Sequence, residues 1–174
     1  MAGKPLTGIR IIDCSQIWAG PFATKLMGDM GAEVIKVESA RRFDNTRNYA
    51  GLPSGEPGER PYNRRALFNI RNRSKLGITL DLTTAKGVEV FKRLVATADV
   101  VVENFSTRVM PGLGLDYWSL KKVKPDIIMI SLPAFGGTGP EKDYVGQGSN
   151  LTPLSGLVSV TGYPDRGPHG IGSY

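Results

Sequence analysis

A strand, a helix and a second strand follow one another within the first 38 residues, and a chain that begins this way has few folds open to it. Gly8-Ile-Arg-Ile-Ile-Asp13 is a β-branched run, Pro21 to Met30 has helical composition with Gly31 as its C-cap, and Glu33-Val-Ile-Lys-Val-Glu38 alternates as a strand. Such a unit closes by a right-handed crossover and puts its two strands side by side and parallel. The pattern recurs. Gly77-Ile-Thr-Leu-Asp81 reads as a strand, and Thr83 or Thr84 can cap a helix running to about Ala98. That helix would bury Val88, Phe91, Leu94, Val95 and Ala98 on one face. Asp99 to Glu103 is a further strand, Tyr117 to Val123 a short helix, Ile127 to Ser131 a strand, and Ser149 to Leu154 a last helix. The expectation is an α/β fold, Rossmann-like, with a largely parallel sheet and flanking helices. Ligands on such sheets sit outside the carboxyl ends of the strands, here residues 13–18, 38–42, 104–108 and 132–138.

Between the second strand and the next lies a long excursion, residues 39–66 by lack of period and about 39–76 with its flank, rich in Gly, Pro, Asn and Arg. Loops of this length in a compact domain are usually functional or disordered. The charge is concentrated there. The chain has 22 Lys and Arg against 16 Asp and Glu, and residues 41–75 hold nine of the former and only three of the latter. Outside that segment the signs balance, which excludes a basic tail or a uniformly basic surface. The segment reads as a solvated charge run, a nucleic-acid patch or an anion site. A nucleic-acid surface would show its basic residues on one regular element or beside aromatic platforms.

Other classes are disfavoured by what is missing. Cys14-Ser-Gln-Ile-Trp-Ala-Gly-Pro21 follows the first strand with no G-x-G-x-x-G, and Pro21 stands where a glycine would let a pyrophosphate approach. There is no Walker A loop, and the single His169 cannot build a His-rich metal site; it reads as a surface or loop histidine. One cysteine, Cys14, cannot form an internal disulfide, which points to a reducing cytoplasm, and its place at a strand end marks it as a small packed residue. No apolar run reaches the ~18 residues that span a bilayer, and the amino terminus lacks the apolar core of a signal peptide.

Six stretches, in order and spacing, carry a family resemblance. They are Pro5 to Asp13, Ala19-Gly-Pro-Phe22, Met27 to Glu38, Asn72 to Leu82, Val101-Val-Glu-Asn-Phe105, and Phe135-Gly-Gly-Thr-Gly-Pro140 leading to Leu154-Ser-Gly156. Together they resemble the class III CoA-transferases, also called the CaiB/BaiF or formyl-CoA transferase family, which includes the α-methylacyl-CoA racemases. The likeness covers essentially the whole chain. Family members are more than twice as long, so it implies that residues 1–174 are an incomplete, amino-terminal portion of a CoA-binding α/β domain.

The resemblance implies acyl-CoA and a carboxylic acid as substrates, no tightly bound cofactor or metal, and neither nucleic acid nor membrane as partner. It places CoA against Gln16, Ile17 and Trp18, with further contacts from Ser39, from Leu80, Asp81, Leu82 and Thr83, and from Asn104, Phe105 and Ser106. Ser39 departs from members with an arginine at that position; Arg41 or Arg42 could reach the same phosphate, and Lys75 completes the cationic set. Guanidinium groups beside sheet-end loops suit the 3′-phosphate and pyrophosphate of CoA. Gln16, Trp18, Gly136, Gly137 and Gln147 would bound the acid; Trp18 reads either as a wall favouring a planar acid or as packing.

Racemases place a histidine where Gln147 stands, and glutamine exchanges no proton near neutral pH. The transferases use an aspartate nucleophile through an aspartyl anhydride and an aspartyl-CoA thioester. The resemblance puts that aspartate one to three residues past Tyr174, so the fragment alone would be inactive. Asp165 sits in a turn and reads as structural or solvated, and Asp13 and Asp81 as loop caps. Two alternatives stand beside the transferase: a noncatalytic CoA-binding or assembly module, and a racemase or isomerase. The family also implies an interlocked homodimer for the complete protein.

Overall fold

The computed structural model describes residues 3–48 and 59–170. Five strands, β1 (Arg10–Asp13), β2 (Glu33–Glu38), β3 (Lys75–Thr79), β4 (Val100–Glu103) and β5 (Ile128–Ser131), form one sheet in the order β3-β2-β1-β4-β5. Every pairing is parallel, so the largely parallel sheet expected from sequence is entirely so among these strands. The chain builds outward from β1 to β2 and β3, then returns to lay β4 and β5 on the other side. The direction of build reverses between β1 and β4, and that is where an open parallel sheet leaves a crevice at its carboxyl edge.

Helix α1 (Ala19–Asp29) links β1 to β2. It ends where expected: Gly31 sits at φ +106°, its N–H donates to the Gly28 carbonyl, and a Cβ there would lie 2.6 Å from Lys4 Cβ. Helix α3 (Ala85–Val95) links β3 to β4, and the Thr84 side chain accepts from the Gly87 N–H as its N-cap. Phe91, Val95 and Ala98 are fully buried, with Val88 and Leu94 packed against them, as the helical spacing predicts. Two short helices, α4 (Val109–Gly112) and α5 (Tyr117–Lys121), precede β5, and α6 (Gly148–Leu154) follows it.

Alternation along the buried strands divides the core between the two faces of the sheet. Ile12, Val37 and Val101 face Phe91, Val95, Leu115 and Leu120 on one side, while Ile11, Val34 and Val102 gather with Ala32 on the other. Each fully buried aliphatic or aromatic side chain contributes about 1.5–3 kcal/mol relative to exposure.

The excursion needs correction. Its last third is regular, with a 3-10 turn at Pro61–Arg64 and a helix α2 (Ala66–Asn72), and β3 begins at Lys75, two residues before the expected strand. Lys75 pairs with Val34 because its long side chain can run inward from the strand to a buried acid. A second 3-10 turn lies at Asn45–Arg47, capped by Asp44; residues 49–58 of the excursion lie outside the described residues.

Candidate functional site

At the carboxyl end of β1 the chain does not turn directly into α1. Ser15 to Trp18 form a loop over the β1/β4 crevice, and side chains from several elements hold it. Asp13 accepts from the Ser15 N–H at 2.9 Å in an Asx-turn and also from the Ser15 hydroxyl. The Lys36 amine donates to the Ser15 carbonyl. Asn104, just past β4, grips Gln16 on both sides: its Oδ1 accepts from Gln16 N–H and its Nδ2 donates to the Gln16 carbonyl, each at 2.7 Å. The Ile17 N–H donates to the Asp44 carboxylate at 3.1 Å, and Arg71 donates to the Ile17 carbonyl at 3.1 Å. Helix α1 then starts hard against the loop, since a Cβ on Gly20 would collide with the Ser15 side chain.

Beneath the loop lies a layer of buried charge. The Lys75 amine, with 2% of its side chain exposed, donates to Asp13 at 2.7 Å, to the Pro21 carbonyl at 2.9 Å and to Asn72 at 2.9 Å. Lys36 lies 3.4 Å from Asp44, whose carboxylate also accepts from the Thr46 N–H and hydroxyl. Burial alone would raise the Asp13 carboxyl, but Lys36 and Lys75, with the hydrogen bonds from Lys75 and Ser15, hold it below its ordinary range. Lys75 is pushed down to about 8 by burial, against the pull of Asp13. Burial pushes the Cys14 thiol far up, which fits a packed residue and not a reactive one.

The sequence-predicted residues fall into groups along one edge. Gln16 meets Asn104 across the β1/β4 crevice, Ile17 and Trp18 follow in the same loop, and beyond Asn104 Phe105 packs on the core with its N–H bonded to Glu103. Next to them, Ser39 and Arg42 form an isolated antiparallel bridge, a tight turn at the end of β2. Its hydroxyl accepts from the Arg41 N–H at 3.2 Å. The turn carries Arg41, 84% exposed along its side chain, to within 3.8 Å of Asp81 beyond β3. Leu80 extends the β3 ladder by donating to the Glu38 carbonyl, Leu82 packs on the core, and Asp81 accepts from the Thr83 N–H and hydroxyl, which lower its pKa.

Trp18 is 38% exposed; Phe22 stacks 6.0 Å away and the Arg71 guanidinium lies 3.6 Å over its ring. At the far end, Gly136 turns at φ +83°. Thr107 ties the segment after β4 to the segment after β5 through Asp143 at 3.0 Å. Gln147 is exposed and caps α6 in a reciprocal box with Asn150. Lys75 is not brought to the edge at all; its amine is enclosed with Asp13. Asp165 and His169 are exposed, and the His169 backbone bonds to Thr161. Among the described residues no three His, Cys, Asp or Glu gather to hold a metal, and no helix is long and apolar enough to cross a membrane.

A family profile described as CoA-transferase family III matches residues 6–174. The chain belongs to that family. It is 42% identical over 164 residues to a succinate–glutarate CoA-transferase of Agrobacterium fabrum, covering 94% of this chain and 41% of that one. It is 39% identical over 170 residues to a succinyl-CoA–D-citramalate CoA-transferase of Chloroflexus aurantiacus, covering 97% and 40% respectively. Among solved structures, a CAIB/BAIF family protein from Brucella suis superimposes with a TM-score of 0.88 at 41% identity, over 98% of this chain and 44% of that one. The chain thus spans about two-fifths of the length of the curated relatives it matches.

For a member of CoA-transferase family III, the residues that sequence reasoning passed over are the ones beneath the loop: Lys36, Asp44 and Arg71. One signal was available. The central strands of a parallel sheet are buried on both faces, so the lysine inside Val34-Ile-Lys-Val37 had to find a buried partner. Asp44 and Arg71 lay in the excursion, where nothing local marks them as buried.

Proposed function

We propose that this chain forms the CoA-binding part of an enzyme that transfers CoA from an acyl-CoA to a short dicarboxylic acid. The observation that carries the reading is the β1/β4 switch point of the sheet in a member of this family. It joins the side-chain-clamped Gln16–Trp18 loop to a sheet edge whose next turn bears Arg41 and Arg42. Coenzyme A needs that pairing, an apolar and amide-lined floor for its pantetheine arm and guanidinium groups for its phosphates. In this reading Gln16, Ile17, Trp18, Ser39, Arg41, Arg42, Leu80 to Thr83 and Asn104 to Ser106 contact CoA, and Gly136, Gly137 and Gln147 line the acid side. Lys75 is excluded because its amine is occupied inside the fold. The two curated relatives carry names that pair succinate or succinyl-CoA with glutarate or citramalate, which supports a dicarboxylate as acceptor.

The chemistry on this reading is covalent. An aspartate following the segment that ends at Tyr174 attacks the thioester carbonyl and releases CoA thiolate, leaving a mixed anhydride. The thiolate attacks the aspartyl carbonyl to give an aspartyl-CoA thioester and frees the donor acid; the acceptor acid then takes the CoA by the reverse steps. CoA acts as substrate and no resident cofactor is needed. Gln147 has no proton to exchange near neutral pH, which supports transfer over racemisation. The complete enzyme on this reading is an interlocked homodimer of the cytoplasm.

The test is direct. The complete protein is incubated with succinyl-CoA and glutarate or citramalate, and the products are followed by chromatography. New dicarboxylyl-CoA and free succinate should appear in equal amounts with ping-pong kinetics. Hydrolysis without transfer across short dicarboxylates would sink the reading, and exchange of an α-proton with deuterated solvent would move it to the racemases.

A further inference from the structure

Ile17 has a backbone conformation that its side chain disfavours. It lies at φ +68°, and the only other described non-glycine residue with positive φ is Ser74. A β-branched residue in the left-handed region is an outlier that persists only when its surroundings over-determine it. Here the surroundings are side chains. From the Ser15 N–H to the Ile17 carbonyl, all six backbone polar groups are bonded to side chains: to Asp13 and Lys36 at Ser15, to Asn104 twice at Gln16, and to Asp44 and Arg71 at Ile17. The Ile17 pair differs from the rest. Asp44 and Arg71 come from the 39–72 stretch, remote from the β1/β4 crevice in sequence, and both are buried. Asp44 is itself fixed by Lys36 and Thr46, and Arg71 also covers the ring of Trp18.

We propose that Asp44 and Arg71 are positioning residues for acyl-CoA: gripping the Ile17 N–H and carbonyl from opposite sides, they hold it left-handed and so aim Gln16 and Trp18 into the crevice. The inference rests on the reading of this loop as a CoA contact. It assigns the basic excursion a second role, since one of its arginines shapes the loop from beneath. When the grip weakens, Ile17 relaxes toward ordinary backbone angles and only a fraction of molecules presents the loop correctly. Apparent affinity for the thioester then falls by that fraction, while molecules that do bind react normally.

The experiment uses the complete protein carrying Asp44→Asn or Arg71→Lys, each alone and with Ile17→Gly; Arg71→Lys carries the test should Asp44→Asn fail to fold. The single variants should raise KM for acyl-CoA about tenfold, with kcat within about twofold. Glycine enters the left-handed region without a steric penalty, so adding Ile17→Gly should return KM to within about threefold of Ile17→Gly alone. The lowered melting temperature should stay low. A merely structural role would lower stability and kcat together and show no such rescue, and an unchanged KM in both single variants overturns the proposal. Trp18 fluorescence, read as the difference between each protein and its Trp18→Phe counterpart, separates this from the functional reading. If the wild-type protein neither binds nor transfers CoA, that reading has failed. The latch survives such a failure only if the single variants shift the Trp18 emission and Ile17→Gly shifts it back; an unmoved emission overturns the latch independently.

Discussion

Asp13 shows what a single buried carboxylate contributes beneath this loop. It accepts from Ser15, Thr24 and Lys75, and no part of its side chain reaches solvent. Replacing it with asparagine leaves the Lys75 amine enclosed without a counter-charge, a change that typically costs about 3–5 kcal/mol near neutral pH. The pH dependence follows from the lowered pKa. The folded carboxyl titrates below its ordinary 3.8, so its stabilisation is fully present above that value and is lost as pH falls through the folded pKa. Denaturant unfolding should therefore show a wild-type advantage over Asp13→Asn that narrows as pH falls from about 5 to 3. A gap that stays constant down to pH 3 would mean that Asp13 is not held low. Lys75 has the opposite sign. With a folded pKa of about 8 below its ordinary 10.5, the unfolded chain binds more protons between those values, so this group adds stability as pH rises through that window. Only half of this arrangement was legible. Asp13 at a strand end followed by Ser15 reads as a loop cap, but its partner Lys75 is 62 residues away, and no local pattern brings the two together.

Elements were legible where the amphipathic period was long and less so where tertiary contacts decide. Helix α3 announces itself: a threonine cap, then apolar residues three and four apart, then the buried Ala98 before β4. Its register can be tested by two substitutions with different expected sizes. Phe91→Ala removes a fully buried ring from the core on one face of the sheet and should cost about 3–5 kcal/mol. Thr84→Ala removes only the cap and should cost about 1 kcal/mol. If chemical unfolding gave similar losses for the two, the packing described for this helix would be wrong. Helix α2 offered no such signal. Its seven residues, Ala-Leu-Phe-Asn-Ile-Arg-Asn, expose Leu67 and Ile70 and bury Phe68 and Arg71, so the inward face carries a cation. That choice is explained by contacts outside the helix: Arg47 lies 3.5 Å over the Phe68 ring while bonding Glu38 with two nitrogens, and Arg71 reaches the Ile17 carbonyl. A period count made on the excursion alone cannot contain those partners.

At the scale of the molecule, the basic segment divides into two populations. The nine cations of residues 41–75 look equivalent in composition, yet the fold engages five of them internally. Arg47 binds Glu38, Arg65 the Arg47 carbonyl, Arg71 the Ile17 carbonyl, Arg73 Asp29 and Lys75 Asp13. Arg42, Arg60 and Arg64 make no side-chain hydrogen bond or ion pair among the described residues, and Arg41 has only its long contact to Asp81. Of these four, Arg41 and Arg42 alone stand in the turn at the end of β2, beside the crevice. If they meet the phosphates of CoA, their loss should be felt by a ligand that carries phosphates and ignored by one that does not. Arg41→Ala and Arg42→Ala in the complete protein should weaken an acyl-CoA by about threefold to tenfold, more at low ionic strength than at high. The corresponding acyl-pantetheine, which has the thioester arm without the phosphates, should be bound as by the wild type. Arg60→Ala and Arg64→Ala supply the comparison, because they change the net charge equally without standing at that turn. Equal weakening by all four substitutions would mean that the segment acts through its summed field, and a loss confined to Arg60 or Arg64 would move the phosphate site along the excursion, away from the turn.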